Sequence, residues 1–115
     1  MTDQTVHFAP DPGSDPATWT YTFGGVAPVA EVRPGQVVST WTMDCFGGRV
    51  RSTADLASAV CDPRQLNPQT GPFHVTGAEP GDTLAVHFVS IRCRESWGVS
   101  STVPFFGALT ATPMT

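Results

Sequence analysis

Apolar and polar residues alternate with a period of two over several short stretches, and no stretch carries a long helical period. Within residues 82–93, Leu84, Val86 and Phe88 fall on one face while Ala85, His87, Val89 and Ile91 fall on the other. Both faces are largely apolar, so the spacing predicts a strand covered on both sides. Residues 36–43 give a second strand, with Val37, Trp41 and Met43 on one side and Val38, Thr40 and Thr42 on the other. Residues 19–23 give a third, where Trp19, Tyr21 and Phe23 alternate with Thr20 and Thr22. Residues 26–32 and 73–76 are shorter candidates.

The punctuation between these runs is regular. Arg33-Pro34-Gly35-Gln36 and Glu79-Pro80-Gly81-Asp82 share one layout, and each precedes a β-branched run. Pro at the second position fixes φ at about −65° and Gly at the third supplies the positive φ of a type II turn. One helix is expected: Ser52-Thr53-Ala54-Asp55 resembles an N-cap with an acid three positions on, residues 56–60 continue it for about two turns, and Asp62-Pro63 ends it. With no alternation of strands and helices, the pattern predicts an all-β architecture. The expected form is an antiparallel sandwich or barrel-like sheet with one short connecting helix, a single domain over residues 1–115.

Composition narrows the function classes. Six Arg and no Lys stand against ten acids, a net charge of −4, and this lacks the basic stripe a nucleic-acid partner requires. Charged residues are 14% of the chain, and hydrophobic residues are 40% with three Trp and seven Phe, which favours folding over disorder. The low charge also implies that some surface is covered by another part or partner. The polar, acidic start Met1-Thr2-Asp3-Gln4-Thr5 has neither signal-peptide nor transit-peptide character. The apolar stretch at 103–109 contains Pro104 and Gly107 and falls short of a membrane span. Cys45, Cys61 and Cys93 are odd in number and lack CxxC spacing, as suits a reducing cytoplasm.

Several chemistries fail on spacing. Gly98-Val99-Ser100-Ser101-Thr102 lacks the second Gly of a nucleophile elbow, and Gly24-Gly25 and Gly47-Gly48 belong to no phosphate loop. His7, His74 and His87 have no metal-ligand spacing and are expected as ordinary histidines. Two acids stand out. Asp44 leaves the end of an apolar strand ahead of Cys45-Phe46-Gly47-Gly48, where it either serves an active site or caps the glycine turn. Glu79 is held between small residues and a rigid turn, and Asp82 is expected to bond backbone N–H groups. Cys45 is a poor thiolate nucleophile because the neighbouring carboxylate raises a thiol pKa.

The stretch Asn67-Pro68-Gln69-Thr70-Gly71-Pro72-Phe73-His74-Val75-Thr76-Gly77-Ala78-Glu79-Pro80-Gly81-Asp82-Thr83-Leu84-Ala85-Val86 resembles the signature of the acetamidase/formamidase family. Flanking features agree in order. Val32-Arg33-Pro34-Gly35 is similar to the family's first PGD-type turn, with Gln36 in place of Asp. Met43-Asp44-Cys45-Phe46-Gly47-Gly48 is similar to its D-[AC]-x-x-G segment, and Trp97-Gly98 through Pro104-Phe105-Phe106-Gly107-Ala108-Leu109 to its WG…PxFGxL segment. The resemblance implies a jelly-roll-like sandwich that hydrolyses short aliphatic amides to carboxylate and ammonia, assisted by a divalent metal with zinc as the candidate. Asp44 and Glu79 are the acids that match the motifs, and the resemblance makes them the expected metal ligands or general base. It also makes Gly71 and Gly77 places of close backbone approach.

Family members are longer, and a His-rich pattern near the N-terminus of some is here reduced to His7. The chain is therefore expected to correspond to the N-terminal part of a larger design. Two functions follow: an amidase working on a small amide, as a homo-oligomer or with a complementing chain, or an inactive truncated β-domain kept as a binding or assembly module. Neither involves nucleic acid or membrane.

Overall fold

The computed structural model describes residues 4–108. Leu109 and the Ala111-Thr112-Pro113-Met114-Thr115 end of the apolar tail lie outside the described residues, as do Met1, Thr2 and Asp3. In chain order the elements are β1 (Val6–His7), a 3-10 turn (Pro16–Thr18), β2 (Ala30–Val32), β3 (Val38–Ser39), α1 (Ala57–Val60), a second 3-10 turn (Pro63–Gln65) and β4 (Phe73–Val75).

These strands overturn the expected antiparallel jelly-roll-like sandwich. Among the described residues there are two sheets of two strands each, and both are parallel. In the first, Val6 pairs with Val38 and His7 with Ser39. In the second, Ala30 pairs with Phe73, Glu31 with His74 and Val32 with Val75. Among the described residues the sole antiparallel contact is an isolated bridge from Thr20 to Gln69, which is all that remains of the strand expected at 19–23. Phe8, just after β1, packs its ring edge-on against that of Phe73 in β4, with centroids 5.7 Å apart.

The largest departure is at residues 82–93, which form no strand. Leu84, Val86, Phe88, Val89 and Ile91 are all exposed, Ile91 by 76%, so the apolar residues on both faces meet solvent. Period-two alternation requires partners on each side to become a covered strand, and here no described segment supplies them. The radius of gyration, 17.3 Å, records the same deficit against about 13 Å for a compact domain of this length.

Where the chemistry is local, the expectation holds. Gln36 N–H donates to Arg33 O at 3.0 Å with Gly35 at φ 83°, and Asp82 N–H donates to Glu79 O at 3.0 Å with Gly81 at φ 102°. Both turns also carry a reciprocal bond: Gln36 Oε1 accepts from Arg33 N–H at 3.0 Å, and Asp82 Oδ2 accepts from Glu79 N–H at 2.8 Å. A neutral amide thus does at the first turn what a carboxylate does at the second. Asp82→Ala is expected to lower stability by about 0.5–1.5 kcal/mol while Asp82→Asn stays close to wild type, as read by urea unfolding.

The expected helix is split in two. Asp55 Oδ2 accepts from the N–H groups of Arg51 (2.8 Å) and Ser52 (2.9 Å), which closes a turn of its own. The helix proper begins only at Ala57 and is a single turn. Asp62 then caps the second 3-10 turn by accepting from Arg64 N–H at 2.9 Å, and its other oxygen meets Arg64 Nη2 at 2.7 Å. Those bonds from Arg64 hold the Asp62 carboxyl at about 2, below its ordinary 3.8. Its contribution is therefore full above the ordinary value and is lost as pH falls from 3.8 towards about 2. Asp62→Asn should flatten the acid-side loss of stability in that window, as urea midpoints measured above and inside it would show.

The buried core is small. Phe46, Val50 and Ala57 form its one cluster among the described residues, with Cys61, Leu66, Val99 and Val103 packed around them, and Val32 of β2 is buried apart from it. The cluster lies under the loop that carries Asp44 and so fixes that loop from below. Among the described residues no helix is long and apolar enough to cross a membrane.

Candidate functional site

The loop that follows β3 is organised by Asp44. Its Oδ1 accepts from Phe46 N–H at 2.8 Å, its Oδ2 from Gly48 N–H at 3.0 Å, and its main-chain carbonyl from Gly47 N–H at 2.9 Å. Gly47 and Gly48 have φ of 63° and 72°, a left-handed pair that only residues without Cβ adopt at low cost. Asp44 therefore does cap the glycine turn. Each carboxylate oxygen has a second lone pair, so capping orients the group without exhausting it.

The backbone leading to Asp44 is clamped by the first part of the signature. Thr70 Oγ1 donates to Trp41 O at 2.8 Å, Asn67 N–H donates to Cys45 O at 2.8 Å, and Gln69 N–H donates to Thr20 O at 2.7 Å. Asn67 reaches its partner with φ at 56°, a region Asn tolerates better than most residues. The Asn-Pro-Gln-Thr segment is thus a brace for residues 41–45, a role that its spacing in sequence did not announce.

Asp44 faces a cleft of about 550 Å³. Its walls include Gly47, Gly48, Arg51, Cys93, Arg94, Glu95 and Trp97, which brings the Asp-Cys-Phe-Gly-Gly loop against the Trp97-Gly98 segment. Two guanidinium groups stand in it. Arg51 Nε donates to Gly48 O at 2.7 Å, and Arg94 stacks 3.8 Å above the Trp41 ring, which packs edge-on against Trp19. Arg94 Nε also approaches Glu95 Oε1 at 3.7 Å. Two carboxylates, Asp44 and Glu95, and two cations around an open cleft can accept a proton on one side and polarise a carbonyl on the other.

Glu79 is placed differently. It is exposed at the head of its turn, its N–H is taken by Asp82, and it does not line the Asp44 cleft. His7, His74 and His87 are exposed, and none lines the cleft. Among the described residues no three His, Cys, Asp or Glu side chains are grouped to hold a metal ion. The Cys45 thiol is pushed up, first by the partial burial of its sulfur in an otherwise exposed residue and then by the Asp44 carboxylate, which weakens it as a nucleophile. A Cβ at Gly77 would meet open space, and one at Gly71 would lie 3.3 Å from Phe73, two residues on, with neither glycine lining the Asp44 cleft.

Arg49 is a residue that the sequence pattern did not single out. Its Nη2 donates to Gln65 Oε1 at 2.7 Å, while its Nη1 is buried without an acceptor among the described residues. An unpaired buried polar atom is a structural signal that has no counterpart in residue spacing.

A model of the acetamidase/formamidase family matches residues 20–110. No curated protein and no solved structure matches the chain.

Proposed function

Because the chain belongs to the acetamidase/formamidase family, we propose that it hydrolyses short linear amides such as formamide and acetamide to carboxylate and ammonia. The observation that carries this reading is the family match across residues 20–110, which includes Asp44, Glu79 and every residue of the Asp44 cleft except Pro12. In this proposal Asp44 is the general base, already oriented by two backbone N–H groups. It takes a proton from water as the oxygen attacks the amide carbon. The carbonyl electrons move to oxygen and are stabilised by the Arg51 and Arg94 guanidinium groups. The tetrahedral species then collapses, nitrogen receives the proton from Asp44, and the C–N bond breaks to release ammonia and the acid.

The second acid and the metal belong to the same proposal. Glu79 and Asp44 would offer at most two ligands to zinc, short of the three or four such an ion takes, and no described residue adds a third beside them. The described residues alone therefore do not fit the ion, and no step above passes through it. We place the protein in the cytoplasm on the strength of its three free cysteines.

A second reading has an observation of its own. The apolar residues of both faces at 84–91 lie in solvent, which favours an assembled form, either a homo-oligomer or a pairing with a complementing chain. The same exposure supports a module that assembles without turning over substrate. Ammonia release from formamide and acetamide by the purified chain, with and without added zinc, separates the two. Turnover in either condition supports the amidase. A folded protein that releases none in both conditions leaves the assembly module.

A further inference from the structure

The two cations of the Asp44 cleft are held in different ways. Arg51 is tied to the loop itself, because its Nε donates to Gly48 O at 2.7 Å. Arg94 has no such tie. Residues 83–100 make no backbone–backbone hydrogen bond among the described residues. The approach of Arg94 Nε to Glu95 Oε1, at 3.7 Å, is too long for a hydrogen bond. Glu95 also sits on the same segment and moves with it, so that contact does not set where Arg94 stands. Val99 packs against the core five positions later, which holds the segment but not the direction of the Arg94 side chain.

What fixes Arg94 is an aromatic face. Its guanidinium carbon lies 3.8 Å from the centroid of the Trp41 ring, inside the range of cation–π attraction, for which indole is the best of the aromatic faces. Trp41 is itself anchored twice. Its main-chain carbonyl accepts from Thr70 Oγ1 at 2.8 Å, and its ring packs edge-on to Trp19, with centroids 5.8 Å apart and planes at 67°. Trp19 is fixed in turn, since its Nε1 donates to Ser14 Oγ at 2.9 Å. Trp41 stands three positions before Asp44 on one segment, yet it does not line the cleft. It reaches the cleft through Arg94 and so joins the segment of the base to the segment of the cation.

We propose that Trp41 is the positioning residue of Arg94: its indole face holds the guanidinium at the cleft, where the amide oxygen gains negative charge. The catalytic part of this role rests on the amidase reading, in which Arg94 stabilises that oxygen, whereas the stack itself does not. A long side chain gives up rotamer freedom when it is fixed, and a donor already in place needs no rearrangement during the reaction. Trp41 thus acts on the rate and leaves the binding of the uncharged ground-state amide almost untouched.

Ammonia release from formamide is measured for the unaltered chain, Trp41→Leu, Trp41→Phe, Arg94→Gln and the double variant Trp41→Leu with Arg94→Gln. Trp41→Leu is expected to lower kcat about tenfold with KM changed by less than about twofold, and Trp41→Phe to lose less than about threefold. In the Arg94→Gln background Trp41→Leu should have no further effect, because a positioning residue acts only through the group it positions. The second readout needs no turnover: the Arg94 Hε resonance, identified by its loss in Arg94→Gln. Ring-current shielding by Trp41 should move it upfield, Trp41→Leu should return it to the position of the other arginines, and Trp41→Phe should give a smaller shift. Circular dichroism confirms folding, and Trp41→Phe decides if Trp41→Leu does not fold. An unshifted Arg94 Hε in the unaltered chain, or a Trp41→Leu loss in kcat that is equal with and without Arg94, overturns the proposal. A folded chain that releases no ammonia removes the catalytic part together with the amidase reading, while the Hε shift still decides whether Trp41 holds Arg94.

Discussion

Phe46→Ala is expected to lower the unfolding free energy by about 3–5 kcal/mol, the range for emptying an aromatic core position. Phe46 is 8% exposed and touches a core of only three buried residues with Val50 and Ala57. Domains are stable by roughly 5–15 kcal/mol in total, so a loss of this size removes much of the margin. The side chain also fixes the backbone on which Asp44 depends, because Phe46 N–H is the donor to Oδ1 and Phe46 O accepts from Arg49 N–H at 3.3 Å. Phe23→Ala is the matched control: Phe23 is 96% exposed, and its truncation should change stability by no more than about 0.5 kcal/mol. Urea unfolding of the two variants decides it. Equal losses would mean that the loop core does not hold the fold.

Asp44→Asn is expected to reduce amide hydrolysis by about 10²–10⁴-fold, the usual worth of a positioned general base. The amide retains one oxygen, so one of the two backbone N–H groups keeps its acceptor and the other loses it. A stability loss of about 1–3 kcal/mol should accompany the change, from one bond to a charged group. The two effects are read independently, as ammonia release under saturating substrate and as a urea midpoint. A variant that is less stable yet turns over normally would leave Asp44 as a turn cap and nothing more. A Glu79→Gln chain assayed beside it shows whether an exposed acid outside the cleft contributes at all.

What was legible in the sequence was what neighbouring residues decide among themselves. The two Pro-Gly turns close as their chemistry requires, because φ at Pro and Gly and a side chain three positions on suffice to specify them. Both short strands that follow or flank them, Ala30–Val32 and Phe73–Val75, fall inside the stretches that alternation marked. Pairing is another matter. Val32 meets Val75 across more than forty residues, and nothing in either strand's own pattern says that the pair runs parallel. Alternation at 82–93 predicted a covered strand that does not form, because a period of two says nothing about which segment would cover it. At the site, Asp44 was visible because acid and glycines are adjacent in sequence. Arg49 was not, since an unpartnered nitrogen is a property of space.

The run Leu84 to Ile91 has a consequence for the chain on its own. It contains no Asp, Glu, Lys, Arg, Pro or Gly, and its side chains alternate without a single gatekeeper other than His87. A short uncharged window of high β-propensity with free backbone edges is a template for stacking identical copies at the cross-β spacing. Solutions of the uncovered chain should therefore age into fibrils that bind thioflavin, faster at higher concentration. Val86→Lys, a charge on a face that carries no packing, should delay that ageing while leaving the core around Phe46 untouched.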